Sequence, residues 1–224
     1  LDKLVTWGEV RGIVARRLPP TQPFDGAVFV DIIVGGGTTL RIVPWTNEPT
    51  ASVIVDCYRR DREPLAHAPR QVLKRILKLY ADKGWKPIIA PEVEFYLVKQ
   101  NTDPDYPLEA PVGRAGRKET AGRMYSIEAV NEFDPIIEDI YDYCEAMEID
   151  ADSLSHEDGA GQLEVNFLHG DPLELADQVF LFKRVAREAA FKHGIYATFM
   201  AKPMEGQPGS ALHLHQSVVD PTTG

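Results

Sequence analysis

Lys202-Pro203-Met204-Glu205-Gly206-Gln207-Pro208-Gly209-Ser210-Ala211-Leu212-His213-Leu214-His215-Gln216-Ser217 is the stretch on which the reading of this chain turns. It opens on a Lys-Pro pair and passes through a turn of small residues, Pro208 to Ala211. It closes on a strand in which His213, His215 and Ser217 alternate with Leu212, Leu214 and Gln216. Side chains alternate across a strand with period two, so the two histidines and the serine share one face. The turn beside that face can approach a ligand closely, because Gly209 puts no side chain in the way.

Two further segments repeat the pattern. Pro87 to Val98 reads as a strand with Glu92, Glu94 and Tyr96 on one face and Val93, Phe95 and Leu97 on the other. Gly161 to Leu168 sets Gln162, Glu164 and Asn166 against Leu163, Val165 and Phe167. One such strand is explained by a solvated face of a half-buried sheet. Three of them, bearing Glu and His, point to a cavity lined by Glu92, Glu94, Glu164, His213 and His215, with the apolar faces packed on a core. Carboxylates crowded in one cavity repel, and their pKa values rise unless something positive sits among them. A divalent cation is the usual answer, and oxygen donors with an imidazole favour Mg²⁺ or Mn²⁺ over zinc.

The Lys-Pro pair, the short spacer, the small residues and the His213-x-x-x-Ser217 ending resemble the ATP-binding-region signature of the glutamine synthetase family. Glu92-Val93-Glu94-Phe95 resembles its Glu-x-Glu-Phe metal segment. His156-Glu157-Asp158-Gly159-Ala160-Gly161-Gln162-Leu163-Glu164 resembles its His-Glu…Gly-Gln-x-Glu segment, and Asp61 to Arg75 the approach to the catalytic domain. By that resemblance, Glu94, Glu157 and Glu164 would hold one divalent cation. Glu92 and His213 would hold a second that bridges the phosphates of ATP. His215 and Ser217 would contact the nucleotide, and Gly209 would lie beside the bound amino acid. The implied reaction joins the γ-carboxyl of glutamate to an amine through a γ-glutamyl phosphate, in a homo-oligomer of two stacked rings, a dodecamer. Family members also continue well beyond a segment of this kind, so the chain is expected to be the first part of a longer protein.

The departures from the family pattern concern the acceptor. Glutamine synthetases proper carry Asn-Gly-Ser-Gly where this chain has Pro208-Gly209-Ser210-Ala211, and an Asp-Gly-Ser-Ser ammonium segment where it has only Asp25-Gly26-Ala27-Val28. With Asn166 after Glu164, these changes resemble the branch that joins glutamate to larger amines, such as γ-glutamylpolyamine synthetases. Asp25 is the only counterpart of the ammonium-site aspartate, and the catalytic residues stay open. Two alternatives also stay open: glutamine synthetase proper using ammonia, and a family member that binds metal and nucleotide without turnover.

Composition narrows the partners. The 224 residues carry 34 acidic and 24 basic side chains, a formal net charge of −10. Such a surface repels phosphate backbones, which excludes nucleic acid. No apolar run reaches membrane-spanning length, and Leu1-Asp2-Lys3 does not read as a signal peptide. Cys57 and Cys144 lack metal-ligand spacing and read as buried thiols of a cytoplasmic protein.

The fold class expected is α+β. Residues 1–60 read as strands and turns, with 27–34 and 40–43 flanking Gly35-Gly36-Gly37 and a further strand at 51–55; this resembles the family's small β-grasp-like N-terminal domain. Residues 61–224 would be the first portion of the catalytic domain, with an antiparallel sheet lining the metal site and helices packed behind it. Pro69 opens the first helix and Gly84 follows its end, with Val72, Leu73, Ile76, Leu77 and Tyr80 as its apolar stripe. Asp134-Pro135 and Asp171-Pro172 read as capping aspartates before two further helices, the second stopping at His193-Gly194. The Pro-, Gly- and charge-rich run 101–123 reads as a mobile or partner-contacting loop, with Arg114, Arg117, Lys118 and Arg123 as a basic patch. His67 and His169 read as solvated turn residues, His193 as complementing a helix dipole, and His156 as a group that orients Glu157.

Overall fold

A computed structural model describes residues 39–48, 50–59 and 61–223. Asp25, the expected strand 27–34 and the glycine triplet lie outside the described residues. The chain divides into two compact units, one up to Pro87 together with the chain from Val218, the other Ile88–Ser217.

In the first unit, β1 (Arg41–Ile42) and β2 (Ala51–Ser52) pair antiparallel, Arg41 opposite Ser52. Both are shorter than the sequence pattern predicts. Helix α1 (Pro69–Ala81) starts on its proline, whose missing N–H is one the first turn leaves unpaired in any case. It stops at Asp82, and Gly84 adopts φ +71 just beyond. Asp56 accepts from Arg70 at 3.0 Å and also from Lys74, which ties the preceding segment to the helix. Of the expected stripe, Val72 and Ile76 are exposed.

The second unit holds the sheet. Its elements are β3 (Lys86–Lys99), α2 (Ile127–Asn131), α3 (Asp134–Ala146), β4 (Ala151–His156), β5 (Gln162–Phe167), α4 (Pro172–Lys192), β6 (Ile195–Thr198) and β7 (Leu212–Val219). The strand order is β4-β5-β3-β6, with β7 also on β3. The β4–β5, β5–β3 and β3–β6 pairings are antiparallel. β3 is the organiser. Tyr96 pairs with Gln162 of β5 and with Thr198 of β6, so these strands take opposite edges. Glu94 pairs with Glu164 of β5, and its N–H points the other way, to the Ala211 carbonyl at 3.1 Å.

One face of the sheet is the core. Val93, Phe95, Leu97, Leu163, Val165 and Phe167 are buried there, and Phe182, Val185, Ala186 and Ala189 of α4 are buried as well. Phe182 meets Phe95 edge-on at 5.9 Å and Phe167 at 5.4 Å, while Phe199 stacks on Phe95 at 5.2 Å. Each buried aromatic ring of this kind contributes roughly 1.5–3 kcal/mol of apolar burial. The antiparallel sheet with helices behind it is thus as expected.

Several local expectations change. Asp171 does cap α4, accepting from Leu173 N–H at 2.9 Å and Glu174 N–H at 3.1 Å. Asp134, however, is already inside α3; Phe133 stands at the cap position without a side-chain bond, and Asp134 acts through the dipole of the first turn. Ser126 caps the short α2 instead, accepting from Ala129 N–H at 3.2 Å. The polar Ala-Asp-Ser-Leu-Ser-His run of β4 has little strand propensity of its own; pairing with β5 overrides it. Leu212 and Leu214 of β7 are 47% and 59% exposed, so this third apolar face is not in the core. The loop after β3 is held rather than free: Lys99 N–H bonds Glu109 O at 2.9 Å, and Val112 bridges Lys118. Lys118 and Arg123 of the basic patch are paired with Glu109 and Glu119. Cys144 is buried and its thiol pushed up to about 12, whereas Cys57 is only partly buried. His67 and His169 are exposed. Among the described residues no helix is long and apolar enough to cross a membrane.

His193 has a partner beyond the helix dipole. Asp139 of α3 accepts from Lys192 Nζ at 2.7 Å and lies 2.6 Å from His193 Nε2, fastening α3 to the end of α4. Burial pushes the Asp139 pKa up, but the Lys192 and His193 hydrogen bonds outweigh it and leave it lowered. A lowered folded-state pKa stabilises above the unfolded value and is lost as pH falls through the folded one. Asp139→Asn is therefore predicted to cost about 1–2 kcal/mol at neutral pH. Thermal melts should show the two proteins converging as the pH is brought below the range in which Asp139 titrates.

Candidate active site

The face of the sheet opposite the aromatic core carries the ionisable groups. The β3–β5 register sets Glu94 directly across from Glu164, and Glu92 across from Asn166. Like charges opposite one another on neighbouring strands destabilise a sheet, so this pairing calls for a compensating group. On the other edge of β3, His213 Nδ1 lies 3.5 Å from Glu92 Oε2 and 4.0 Å from Glu94 Oε1. His215 Nε2 lies 2.8 Å from Glu92 Oε1. Glu92, Glu164 and His213 each offer a ligand atom, all within 4.8 Å of one another.

Electrostatics agrees with the crowding. The Glu164 pKa is raised, first by burial and then by Glu92 and Glu94, against the opposing influence of Asn166 and His213. That of Glu157, in the turn after β4, is raised by burial, then Glu164, Glu94 and Asp158. Tyr96 is pushed up to about 12 by burial and by the charges of Glu94 and Asp158. These four glutamates thus feel one another, and the donor set of carboxylate oxygens with one imidazole fits a hard divalent cation such as Mg²⁺ or Mn²⁺.

Gln162 locks the surroundings in place. Its side-chain amide donates to Glu94 Oε2 at 2.9 Å and to Gly209 O at 3.0 Å. Its Oε1 accepts from Gly159 N–H at 3.0 Å and lies 3.1 Å from the Tyr96 hydroxyl. That hydroxyl is also 2.7 Å from Pro208 O, and Ala211 N–H donates to Glu94 Oε2 at 3.1 Å. The 208–211 turn is therefore tied to β3 and β5 at several points. Only glycine fits at 159: a Cβ there would stand 2.0 Å from the Tyr96 hydroxyl. At 161 the backbone has φ +77, and a Cβ would come within 2.7 Å of Leu97 O.

The residues singled out in the sequence are thus placed as follows. Glu92, Glu94, Glu164, His213 and His215 converge, Glu157 adjoins them through its charge, and Gly209 borders them through Gln162. Ser217 lies exposed further along β7. His156 is fully buried, its Nδ1 2.6 Å from the Glu157 carbonyl, and burial lowers its pKa. Sequence reasoning missed the role of Gln162, whose partners are scattered from residue 94 to residue 209. It also missed Glu119, a buried carboxylate within a charged loop. For Gln162 the signal was its place on the polar face of its strand with Glu164 and Asn166; for Glu119 there was none.

A profile described as the glutamine synthetase catalytic domain matches residues 66–223, and the chain belongs to that family. It is 36% identical over 196 residues to a glutamine synthetase of Pyrococcus abyssi, covering 87% of this chain and 42% of that protein. It is likewise 36% identical to the gamma-glutamylputrescine synthetase of Escherichia coli, over 70% of this chain and 34% of that one. To a glutamate–isopropylamine ligase of a Pseudomonas species it is 35% identical, over 82% of this chain and 39% of that one. A solved structure of apo GmaS without ligand superposes with a TM-score of 0.68 at 28% identity, over 82% of this chain and 41% of that one. The chain spans about two fifths of the length of the curated relatives first matched.

Replacing the hub tests its importance. Gln162→Leu removes two donors and one acceptor from a buried network and leaves Gly159 N–H and Gly209 O without them. The expected loss is roughly 2–4 kcal/mol in chemical denaturation; a loss below about 0.5 kcal/mol would show that the network contributes little.

Proposed function

We propose that this chain is part of an ATP-dependent ligase that joins the γ-carboxyl of glutamate to an amine through a γ-glutamyl phosphate. The observation that carries the reading is the convergence of Glu92, Glu164 and His213, with Glu94 and Glu157 beside them, in a chain of the glutamine synthetase family. In this reading Glu92 and His213 hold one cation and Glu94, Glu157 and Glu164 another, with Glu164 close enough to Glu92 and His213 to stand between the two sets. Bound divalent cations would neutralise the phosphoryl group in flight and align its oxygens. His215 and Ser217 contact the nucleotide. Gly209, fixed through its carbonyl by Gln162, lies beside glutamate. The γ-carboxylate oxygen bonds to the terminal phosphorus of ATP and ADP leaves. The amine nitrogen then bonds to the acyl carbon, phosphate leaves, and the nitrogen loses a proton.

The acceptor is proposed to be an amine larger than ammonia, on the Pro208-Gly209-Ser210-Ala211 departure and on the kinship with ligases named for putrescine and isopropylamine. Ammonia is the second reading, favoured by the relatives named glutamine synthetase. Residues 1–60 are proposed as a separate N-terminal domain, and the whole protein as a cytoplasmic dodecamer of two stacked rings.

Phosphate release by the full-length protein with ATP, glutamate and Mg²⁺ decides the acceptor. Primary amines and diamines are expected to outperform ammonium. The reverse order supports glutamine synthetase proper, and release with neither, while ATP still binds, supports a family member without turnover.

Two further measurements bear on the site and the assembly. Glu94→Ala is predicted to remove one of two Mn²⁺ sites seen by calorimetry, and unchanged stoichiometry would overturn the ligand assignment. Light scattering on the active full-length protein should report the ring assembly, against which an active monomer would count.

A further inference from the structure

The turn that carries Glu157 is held by a short segment of the loop after β3. Three consecutive carbonyls are occupied. His156 O accepts from Tyr125 N–H at 2.8 Å, and Asp158 O from Gly122 N–H at 2.8 Å. Between them, Glu157 O accepts from the imidazole of His156 itself, at 2.6 Å from Nδ1. A carbonyl only accepts, so Nδ1 carries the proton. The other ring nitrogen, Nε2, is buried without a hydrogen bond and faces Glu119 Oε1 at 4.0 Å. Glu119 in turn accepts from Arg123 at 3.1 Å, and its own N–H is bound to Pro111 O at 2.9 Å.

The side chains of His156 and Glu119 are 0% and 2% exposed. Burying an imidazole against a carboxylate is costly, and an aliphatic residue would fill the same space. What the arrangement secures is direction. Glu157 N–H is bound to Gln162 O at 2.8 Å, so the peptide plane before Glu157 is fixed. The bond from His156 fixes the plane after it. A residue has only two soft backbone dihedrals, so both are set, and with them the direction of the Cα–Cβ bond from which the Glu157 side chain starts. Tyr125, which holds the His156 carbonyl, does so at φ +59, a conformation that persists only where its surroundings enforce it.

We propose that His156, Glu119 and Arg123 form a positioning relay: Arg123 fixes Glu119, Glu119 closes off the far side of the imidazole without a hydrogen bond to it, and the imidazole sets the backbone from which the Glu157 carboxylate reaches the cation site. None of the three touches substrate; they act through Glu157. The inference rests on Glu157 being a cation ligand.

The test titrates Mn²⁺ alone into full-length protein by calorimetry, with a thermal melt of each variant. His156→Leu fills the ring's volume but has no donor. It is expected to weaken one of the two Mn²⁺ sites about tenfold, as loss of a group supporting a ligand does, and to leave the other unchanged. His156→Asn places an amide N–H where Nδ1 stood and is expected to recover most of that loss. A folded His156→Leu protein with native affinity at both sites, or an Asn variant no better than Leu, overturns the proposal. Should His156→Leu fail to fold, Arg123→Met carries the test, since this side chain is 31% exposed. It frees Glu119 and should weaken the same site by less than His156→Leu does, and native affinity there overturns the proposal. Glu157→Gln, run in parallel, separates the two layers. If it leaves both affinities intact, the ligand role of Glu157 fails and the relay with it. If it weakens one site while the His156 and Arg123 variants do not, the relay alone fails.

Discussion

The Gln162 side chain is the joint on which the ionisable face depends. It binds Glu94, Gly209 and Gly159 and meets the Tyr96 hydroxyl, so one amide connects two strands, the 157–161 turn and the 208–211 turn. No charged residue could replace it. An amide offers both donors and an acceptor, and this position requires donation towards a carboxylate and a carbonyl together with acceptance from a backbone N–H. The glycines at 159 and 161 follow from the same joint, because the backbone must pass close against Tyr96 and Leu97 to reach it.

The sheet carries an electrostatic debt on one face and an apolar surplus on the other. Burial first, and then repulsion among Glu92, Glu94, Glu157 and Glu164, raises the pKa of Glu157 and Glu164. The opposite face gathers Phe95, Phe167, Phe182 and Phe199 into one aromatic cluster. Alternation along β3 and β5 makes both from the same residues, so the strength of the core is what lets the carboxylates be held so close together.

Much of this was legible because period two is a strong signal. β3, β5 and β7, the polar faces of Glu92-x-Glu94 and His213-x-His215, and both ends of α4 follow from residue order alone. What was not legible depends on partners distant in sequence. β4 is a strand because β5 lies beside it, despite its serines and aspartate. Asp134 stands before a proline as Asp171 does, yet only Asp171 caps, since the chain before α3 arrives already turned through the short α2. The leucines of β7 alternate as core residues would, but alternation says which residues share a face and not whether anything covers it. His156 was legible as a neighbour of Glu157; that it faces Glu119 across a buried gap was not.

β3 is a single run of 14 residues that is paired by β5 on one edge and by β6 and β7 in succession on the other. A slip of one residue along it would turn Glu92 and Glu94 into the phenylalanine cluster and put Val93 and Phe95 among the histidines. The ligand geometry therefore inherits the cooperativity of the whole sheet: there is no small, local error by which the acidic face comes out slightly wrong while the fold survives. The turns at the strand ends share that constraint where they meet the sheet, because Gly159, Gly161 and Gly209 each leave no room for a side chain.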